Sequence, residues 1–391
     1  MIALIAKRLY TPNDCVENPL LLIEDDHIVE VTSGTTRHVP TKVQFLNFPD
    51  CILAPGFVDI HIHGGAGYDV MDPDSSALPA VERLIAKHGV TSYLPTTVTA
   101  PLDQTLSALD RLAEAIETAE RNTCVDHRAQ PLGIHLEGPF ISHARRGVHP
   151  PSNLLPPTIA TFERFWQASR GRIRVMTIAP ELEGSIEVIT EAVRRNVCVS
   201  LGHSDADLSA TQKGIAAGAR HATHTFNSMR PFDHREPGIV GAVLSDDRVS
   251  ADIIADGIHL HPVTVELFLK AKGSESSVLI TDATAATGMP DGRYRLGSFE
   301  VEVKQGRCTA DGKLAGSVLT MDQAVRNVMQ FADWDLQQAV RLATANAARV
   351  AGLQRGKLEP GGRADVVVLT ATGQVTATII GGVLSQAASQ G

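Results

Sequence analysis

No two cysteines in this chain stand at metal-ligand spacing. The five, Cys15, Cys51, Cys124, Cys198 and Cys308, are scattered and odd in number, and no C-x-x-C occurs. That argues against a cysteine zinc site and provides no disulfide framework. No apolar run approaches the ~20 residues needed to span a bilayer. The N-terminus reaches Lys7-Arg8 after a few apolar residues, without a signal-peptide core or cleavage pattern. The expectation is a reducing, cytoplasmic compartment and no membrane partner. A basic tract is also missing: 35 basic and 44 acidic side chains give a net charge of -9, so nucleic acid is not an expected partner. An anionic ligand would need a local basic cluster. No G-x-G-x-x-G opens a helix after a first strand, so a dinucleotide fold has no support.

What is present is ordinary in composition, with 43% hydrophobic and 20% charged residues, and patterned in sequence. Residues 1–53 read as small β structure, with a hairpin around Asp25-Asp26. The C-terminus is β-rich again at 364–369 and 375–380, before Gly381-Gly382. Two β-rich ends around a different middle are expected to pair. In between, short apolar runs alternate with amphipathic stretches. Strands are expected at 57–63, 91–98, 132–137, 173–179, 197–203, 219–224, 249–255 and 277–282. Helices are expected at 78–87, 102–120, 159–169, 186–195, 206–217 and 263–272. An inserted hairpin over 294–303 comes next, then helices at 321–332 and 336–351. Alternation of this kind implies a parallel sheet with right-handed crossovers. Eight units fit a (β/α)8 TIM barrel better than an open sheet.

A barrel gathers the residues that end its strands at one mouth. The apolar run 57–62 carries His61 and His63 on one face, because side chains alternate across a strand. Alone, the pair reads more readily as two hydrogen-bonded core histidines. The other strands change that. The third ends in Glu137, the fifth in His203, the sixth in His224 and the eighth in Asp282. Burying each ionisable group costs several kcal/mol unless it is paired or ligated. One shared cation answers all of them. Four imidazoles and two carboxylates suit Zn²⁺, Fe²⁺ or another borderline divalent ion, not Mg²⁺ or Ca²⁺. His135, on the same face as Glu137, reads as a histidine supporting a ligand or filling the core, and His221 as a satisfied structural histidine. Asp59 is placed to orient one of the paired histidines. Asp205 and Asp207 read as caps of the helix after His203.

At this point the chain resembles a known family. A His-x-His on strand one, a carboxylate on three, histidines on five and six and an aspartate on eight are similar to the amidohydrolase superfamily pattern. Finer motifs resemble the N-acetylglucosamine-6-phosphate deacetylase family within it. They are His135-Leu136-Glu137-Gly138-Pro139-Phe140, Arg146-Gly147-Val148-His149-Pro150 and His224-Thr225-Phe226-Asn227-Ser228-Met229. Arg235-Glu236-Pro237-Gly238, Ala255-Asp256-Gly257-Ile258-His259, Thr281-Asp282-Ala283 and Leu314-Ala315-Gly316-Ser317 continue the match. The resemblance runs nearly end to end.

The resemblance carries implications residue by residue. The fold would be α/β, a (β/α)8 barrel at 54–354 beside a small β-sandwich domain built from both termini, 1–53 plus 355–391. The activity would be hydrolysis of the acetamide of N-acetyl-D-glucosamine 6-phosphate. Glu137, His203 and His224 would hold the principal metal; His61 and His63 would hold a second, with Glu137 between. Some members lack the histidine pair and use one ion, so one or two divalent ions are expected, Zn²⁺ first and Fe²⁺, Mn²⁺ or Co²⁺ after it. Asp282 would be the catalytic acid/base. Val148, His149, Asn227, Ser228, Arg235, Asp256, His259, Leu314, Ala315 and Gly316 match the sugar-phosphate contacts. Ser228 departs from the family's usual alanine. The arginine at 235 can reach across a dimer interface in this family, so a homodimer is expected. The competing readings are the galacto-configured substrate, another amide-hydrolysing amidohydrolase, a non-catalytic barrel scaffold and a sugar-phosphate sensor.

Overall fold

The structure, a computed structural model, describes residues 1–33, 43–121 and 127–387. Cys124 and the last residues of the C-terminal β domain expected at 355–391 lie outside them. One eight-stranded sheet draws strands from both ends of the chain. Ile2–Tyr10 lies beside Gln44–Pro55 in parallel, and Gln44–Pro55 pairs antiparallel with Val366–Leu369. The hairpin around Asp25-Asp26 forms between Pro19–Glu24 and His27–Ser33. Alternation explains how this sheet joins the rest. Along Gln44–Pro55, Leu53 packs with Leu4, Leu21, Val366 and Val368, while its neighbours Ile52 and Ala54 join the large core of the parallel strands. Val367 and Leu369 likewise turn to the large core.

The parallel strands coincide with the apolar runs. Phe57–Ile62 pairs with Val90–Thr97, which pairs with Ile134–Glu137; Ile173–Ile178, Cys198–Leu201 and His221–Ala222 continue in order. Ala251–Ile254 and Ser277–Ile280 form a further parallel pair. A few backbone bonds link this pair to both sides. Thr225 N donates to Asp252 O (2.9 Å), and Asp282 N donates to the His61 carbonyl (2.9 Å). No strand is longer than its expected span. Those expected to end in His203, His224 and Asp282 stop before that residue.

Three local departures have physical causes. The expected helix 336–351 is broken into Leu336–Leu342 and Ala345–Val350. The Ala343 carbonyl between them accepts from Val58 N (2.8 Å) instead of continuing the helix. A helix at Gly238–Ser245 escaped the periodicity because Ile239, Val240, Ala242 and Val243 are all buried, leaving no polar face. The inserted hairpin is a four-stranded antiparallel meander, Gly292–Leu296, Phe299–Lys304, Arg307–Ala310 and Lys313–Leu314. Its Leu296, Val301 and Val303 pack with Val98 and Ala286 above the parallel strands. No described helix is long and apolar enough to cross a membrane.

One carboxylate ties the end of the first helix, Ala77–Lys87, to the helix Met321–Ala332. Asp322, in the first turn of the latter, accepts from His88 Nδ1 (3.0 Å) and Arg326 Nη1 (2.8 Å). Burial alone would raise its pKa, but His88, and after it Thr320 and Arg326, hold it well below the usual carboxylate range. A depressed folded-state pKa contributes stability above the unfolded value near ~4, and that contribution is lost as pH falls toward the folded value. Asp322→Asn should therefore lower unfolding stability by about 1–3 kcal/mol at neutral pH. In denaturant titrations the gap to wild type should narrow as pH drops below about 4. A gap that ignores pH would contradict the assignment.

Candidate metal centre and active site

The residues that end the parallel strands meet in one buried cluster. His61 lies on the strand Phe57–Ile62 and His63 just past its end, with His61 Nε2 and His63 Nε2 3.2 Å apart. Glu137 lies between two groups. Its Oε1 is 3.3 Å from His203 Nε2, 3.1 Å from His224 Nε2 and 3.5 Å from His61 Nε2; its Oε2 is 3.3 Å from His63 Nε2. Asp282 Oδ1 stands 3.1 Å from His63 Nε2 and 3.5 Å from His61 Nε2. His203 Nε2 and His224 Nε2 are 3.2 Å apart. None of the six residues is more than 7% exposed.

Backbone geometry aims these side chains. His203, His224 and Asp282 have φ of 47°, 31° and 50°. Left-handed backbone is uncommon outside glycine and is held only where the surroundings over-determine it. Asp282 is fixed by its own N donating to His61 O and by Ser317 N donating to its carbonyl (2.7 Å). Gly316 lets that loop close: a Cβ there would lie 2.9 Å from the Asp282 carbonyl. His224 is held by Asp252, which accepts from its backbone N and, at 2.9 Å, from His221 Nε2. His221 and His135 are satisfied core histidines, as expected. His135 bonds the Ile60 carbonyl and Thr177 Oγ1 at 2.9 and 2.8 Å.

Hydrogen bonds on the far side of each ring decide what it presents to the cluster. His63 Nδ1 faces the Thr96 carbonyl and His203 Nδ1 the Arg145 carbonyl, both at 3.0 Å. A carbonyl only accepts, so each Nδ1 carries hydrogen and each Nε2 is left facing the cluster, free to ligate a metal. Burial disfavours charge on His63, but Asp282 and Glu137 raise its pKa, so without a metal its Nε2 holds a proton between them. The ring neighbours of His63 and His203 at 3.2 Å, His61 and His224, have buried Nδ1 atoms with no hydrogen-bond partner, so no outside contact fixes their tautomers. His203 Nε2, His224 Nε2 and Glu137 Oε1 form a triangle with edges of 3.1–3.3 Å. Ligands of a tetrahedral ion at ~2.0–2.1 Å stand about 3.3 Å apart, so the donor set fits a small divalent metal. Charge agrees. Burial would raise the pKa of Glu137, yet the surrounding imidazoles hold it well below the usual range. Burial disfavours charge on His224, yet Glu137 pushes it up to about 9. The carboxylates thus draw positive charge to their meeting point, and a proton there stands in for a cation.

His149 is different. By position it could complete a ligand set with Glu137 and His203. However, Thr99 N (3.3 Å) donates to its Nδ1, and Thr99 Oγ1 lies 2.8 Å from the same atom. Burial lowers its pKa to about 3, so the ring is neutral. Its hydrogen is then on Nε2, which faces the cluster as a donor, not a ligand. Asp282, by contrast, is an ionised acceptor. Burial opposes its charge, but the His63 contact lowers its pKa to about 2.

The cluster opens into a cavity of about 210 Å³. Val148, His149, Asn227, Ser228, His259, Leu314, Ala315 and Gly316, all expected at the site, line it. Asn227 Nδ2 is a buried donor without a partner there. Asp256 does not line the cavity; it accepts from His259 Nδ1 (2.7 Å) and fixes that ring. Arg235 does not line it either and is exposed, its backbone N bonded to Asp233. Lys313 was not foreseen. It lies at the tip of the meander and is the one lysine or arginine among the lining residues. Two minor assignments change. Asp59 accepts from His61 N and Thr281 Oγ1 rather than from an imidazole. Asp207 caps the next helix through Ala210 N (2.8 Å), but Asp205 pairs with Arg145.

A family model described as the amidohydrolase family matches residues 52–384. The chain belongs to the amidohydrolase family. It is a hydrolytic enzyme, and both the family and the clustered ligands support a divalent metal. Among relatives of this amidohydrolase, N-acetylglucosamine-6-phosphate deacetylase of Bacillus subtilis (strain 168) is 36% identical, covering 96% of this chain and 94% of that one. N-acetylgalactosamine-6-phosphate deacetylase of Escherichia coli O157:H7 is 40% identical, covering 88% and 91%. A structure of N-acetyl-D-glucosamine-6-phosphate deacetylase from Mycobacterium smegmatis with N-acetyl-D-glucosamine-6-phosphate superposes with a TM-score of 0.91. It is 34% identical and covers 98% and 99% of the two chains.

Because Glu137 faces both groups of imidazoles, its loss should disable both. Glu137→Gln is expected to keep its circular dichroism spectrum and lose bound metal on dialysis, read by elemental analysis. Retention of wild-type metal would remove Glu137 from the ligand set.

Proposed function

We propose that this enzyme hydrolyses the acetamide of N-acetyl-D-glucosamine 6-phosphate to D-glucosamine 6-phosphate and acetate. The observation that carries the reading is the joining of three chemistries in one cavity: a metal-ligand cluster, an ionised Asp282 beside it, and an anion-receptive wall of Asn227, His259 and Lys313. The galacto epimer is the alternative, favoured by the relative named for that substrate and by Ser228 at the cavity wall. Glu137, His203 and His224 are the principal metal ligands in this reading. His61 and His63 hold a second ion, and Zn²⁺ suits the nitrogen-rich set best, ahead of Fe²⁺, Mn²⁺ and Co²⁺. The parallel strands are read as a closed (β/α)8 barrel at 54–354, with 1–53 and 355–391 forming a β-sandwich domain. A cytoplasmic homodimer completes the reading, Arg235 reaching a neighbouring site from its exposed loop.

The metal supplies Lewis acidity, polarising the acetyl carbonyl and acidifying water. The chain's own residues do the rest. Asp282 accepts the proton of the attacking water as it adds to the carbonyl carbon. His149 donates from Nε2 to the carbonyl oxygen as negative charge grows there. Asp282 then passes its proton to the nitrogen, and the C–N bond breaks to give amine and acetate. The phosphate meets the unpartnered Asn227 amide, the His259 ring held by Asp256, and the Lys313 ammonium.

Acetate release should be tested on N-acetylglucosamine 6-phosphate, its galacto epimer and unphosphorylated N-acetylglucosamine. Turnover of a phosphorylated substrate, abolished by chelation, is expected; release from none of them by metal-replete protein overturns the substrate. Asp282→Asn should keep the fold and bound metal while kcat falls by about 10²–10⁴. Lys313→Ala should raise KM for the phosphorylated sugar, more at low salt than at high, with little change in kcat. An unchanged KM would leave phosphate binding to the other groups.

A further inference from the structure

His203 owes its orientation to residues that touch neither substrate nor metal-facing atoms. Its left-handed backbone turns the chain at 203 to 206, and Glu181, in the loop after Ile173–Ile178, holds the next two residues. Asp205 N donates to Glu181 Oε1 (2.6 Å) and Ser204 Oγ donates to Glu181 Oε2 (2.7 Å). Ser204 Oγ in turn accepts from Ala206 N (3.0 Å). With its backbone N fixed by Glu181, the Asp205 side chain turns to Arg145, whose Nε donates to Oδ1 at 2.7 Å. Arg145 closes the ring, because its carbonyl is the acceptor for His203 Nδ1 (3.0 Å). Ser142 N also donates to the His203 carbonyl (2.8 Å), so the segment carrying Arg145 is docked on His203 at two points.

We infer that Glu181, Asp205 and Arg145 are positioning residues for His203, fixing its tautomer and aiming Nε2 at the metal. The inference rests on the metal-site reading above. Its logic is that of ligand orientation: a metal-bound histidine needs its other ring nitrogen held, and losing that hold typically costs 10–100-fold in metal affinity or activity. Here the holder is a backbone carbonyl, which cannot be mutated away, so control passes to the side chains that place it. The segment so placed continues into Gly147, Val148 and His149 of the cavity wall. Ligand and substrate contacts therefore share one support. The Arg145–Asp205 pair is about a third exposed, so it adds little to global stability. A purely structural role would appear in melting temperature; a positioning role appears in metal binding.

The test uses metal-stripped full-length protein titrated with Zn²⁺ against a competing chelator, with Co²⁺ visible spectra as a second readout. Glu181→Ala is expected to weaken Zn²⁺ binding about 10–100-fold and to alter the Co²⁺ spectrum. Arg145→Ala, which spares the Glu181 contacts, should show a smaller loss, and Arg145→Lys should restore part of it. The double variant should lose less than the product of the singles, because the residues act through one histidine. Metal-free melting temperatures of Arg145→Ala and wild type should agree closely. His203→Ala separates the two levels. If it binds Zn²⁺ as wild type does, the metal-site reading fails. If it loses binding while folded Glu181→Ala and Arg145→Ala bind as wild type, the positioning inference is overturned. Should Glu181→Ala not fold, Arg145→Ala and Asp205→Asn decide the question from the outer half of the ring: wild-type Zn²⁺ binding by both overturns the inference, and weakened binding supports it.

Discussion

The rest of the molecule depends on one electrostatic constraint: four imidazole nitrogens and two carboxylates are buried facing one another. Hydrogen bonds from neutral rings meet only part of it. His63 and His203 spend their Nδ1 hydrogens on carbonyls and leave Nε2 facing the centre. Positive charge is required, and Glu137 and Asp282 attract it. A bound divalent ion turns an arrangement that would otherwise cost several kcal/mol per group into a stable one. His149, so close in space, has the opposite hydrogen placement because Thr99 N donates to its Nδ1. It is a donor in a ring of acceptors, and a donor is what a developing oxyanion needs.

The fold serves this centre by ending its strands early. Three parallel strands deliver a polar residue just past their last ladder bond, where the backbone can take a left-handed turn. His203, His224 and Asp282 all do so. Asp252 stabilises one such turn and Glu181 another, while Gly316 leaves room for the third. The meander then covers the mouth and brings Lys313 to a protein whose net charge of -9 would otherwise repel an anion. The acidic surface and the cationic spot together favour a small phosphorylated ligand over nucleic acid.

Much of this was legible in the sequence because strand-ending ionisable residues stand out against apolar runs. His61, His63, Glu137, His203, His224 and Asp282 were assigned from that contrast alone, before any family likeness. The meander was half legible: alternation marked 294–303, but Lys313 sits in a two-residue strand too short to show periodicity. The helix Gly238–Ser245 was hidden because it is apolar almost throughout and carries no polar stripe. Arg235 and Asp256 came from resemblance, which carries residue identities but not their geometry. Asp256 bonds the His259 ring from outside the cavity, and Arg235 also stands outside it. Glu181 gave no signal, because its function exists only through contacts with residues 204 and 205, brought near by the fold.

The central claim is that a cation occupies the meeting point of these side chains. Anomalous diffraction from crystals grown with metal tests it most directly, with data on both sides of the metal's absorption edge. The account predicts a peak within bonding distance of Glu137, His203 Nε2 and His224 Nε2, with any second peak beside His61 and His63. Fully occupied metal elsewhere, with these six side chains ordered and no peak among them, would contradict it.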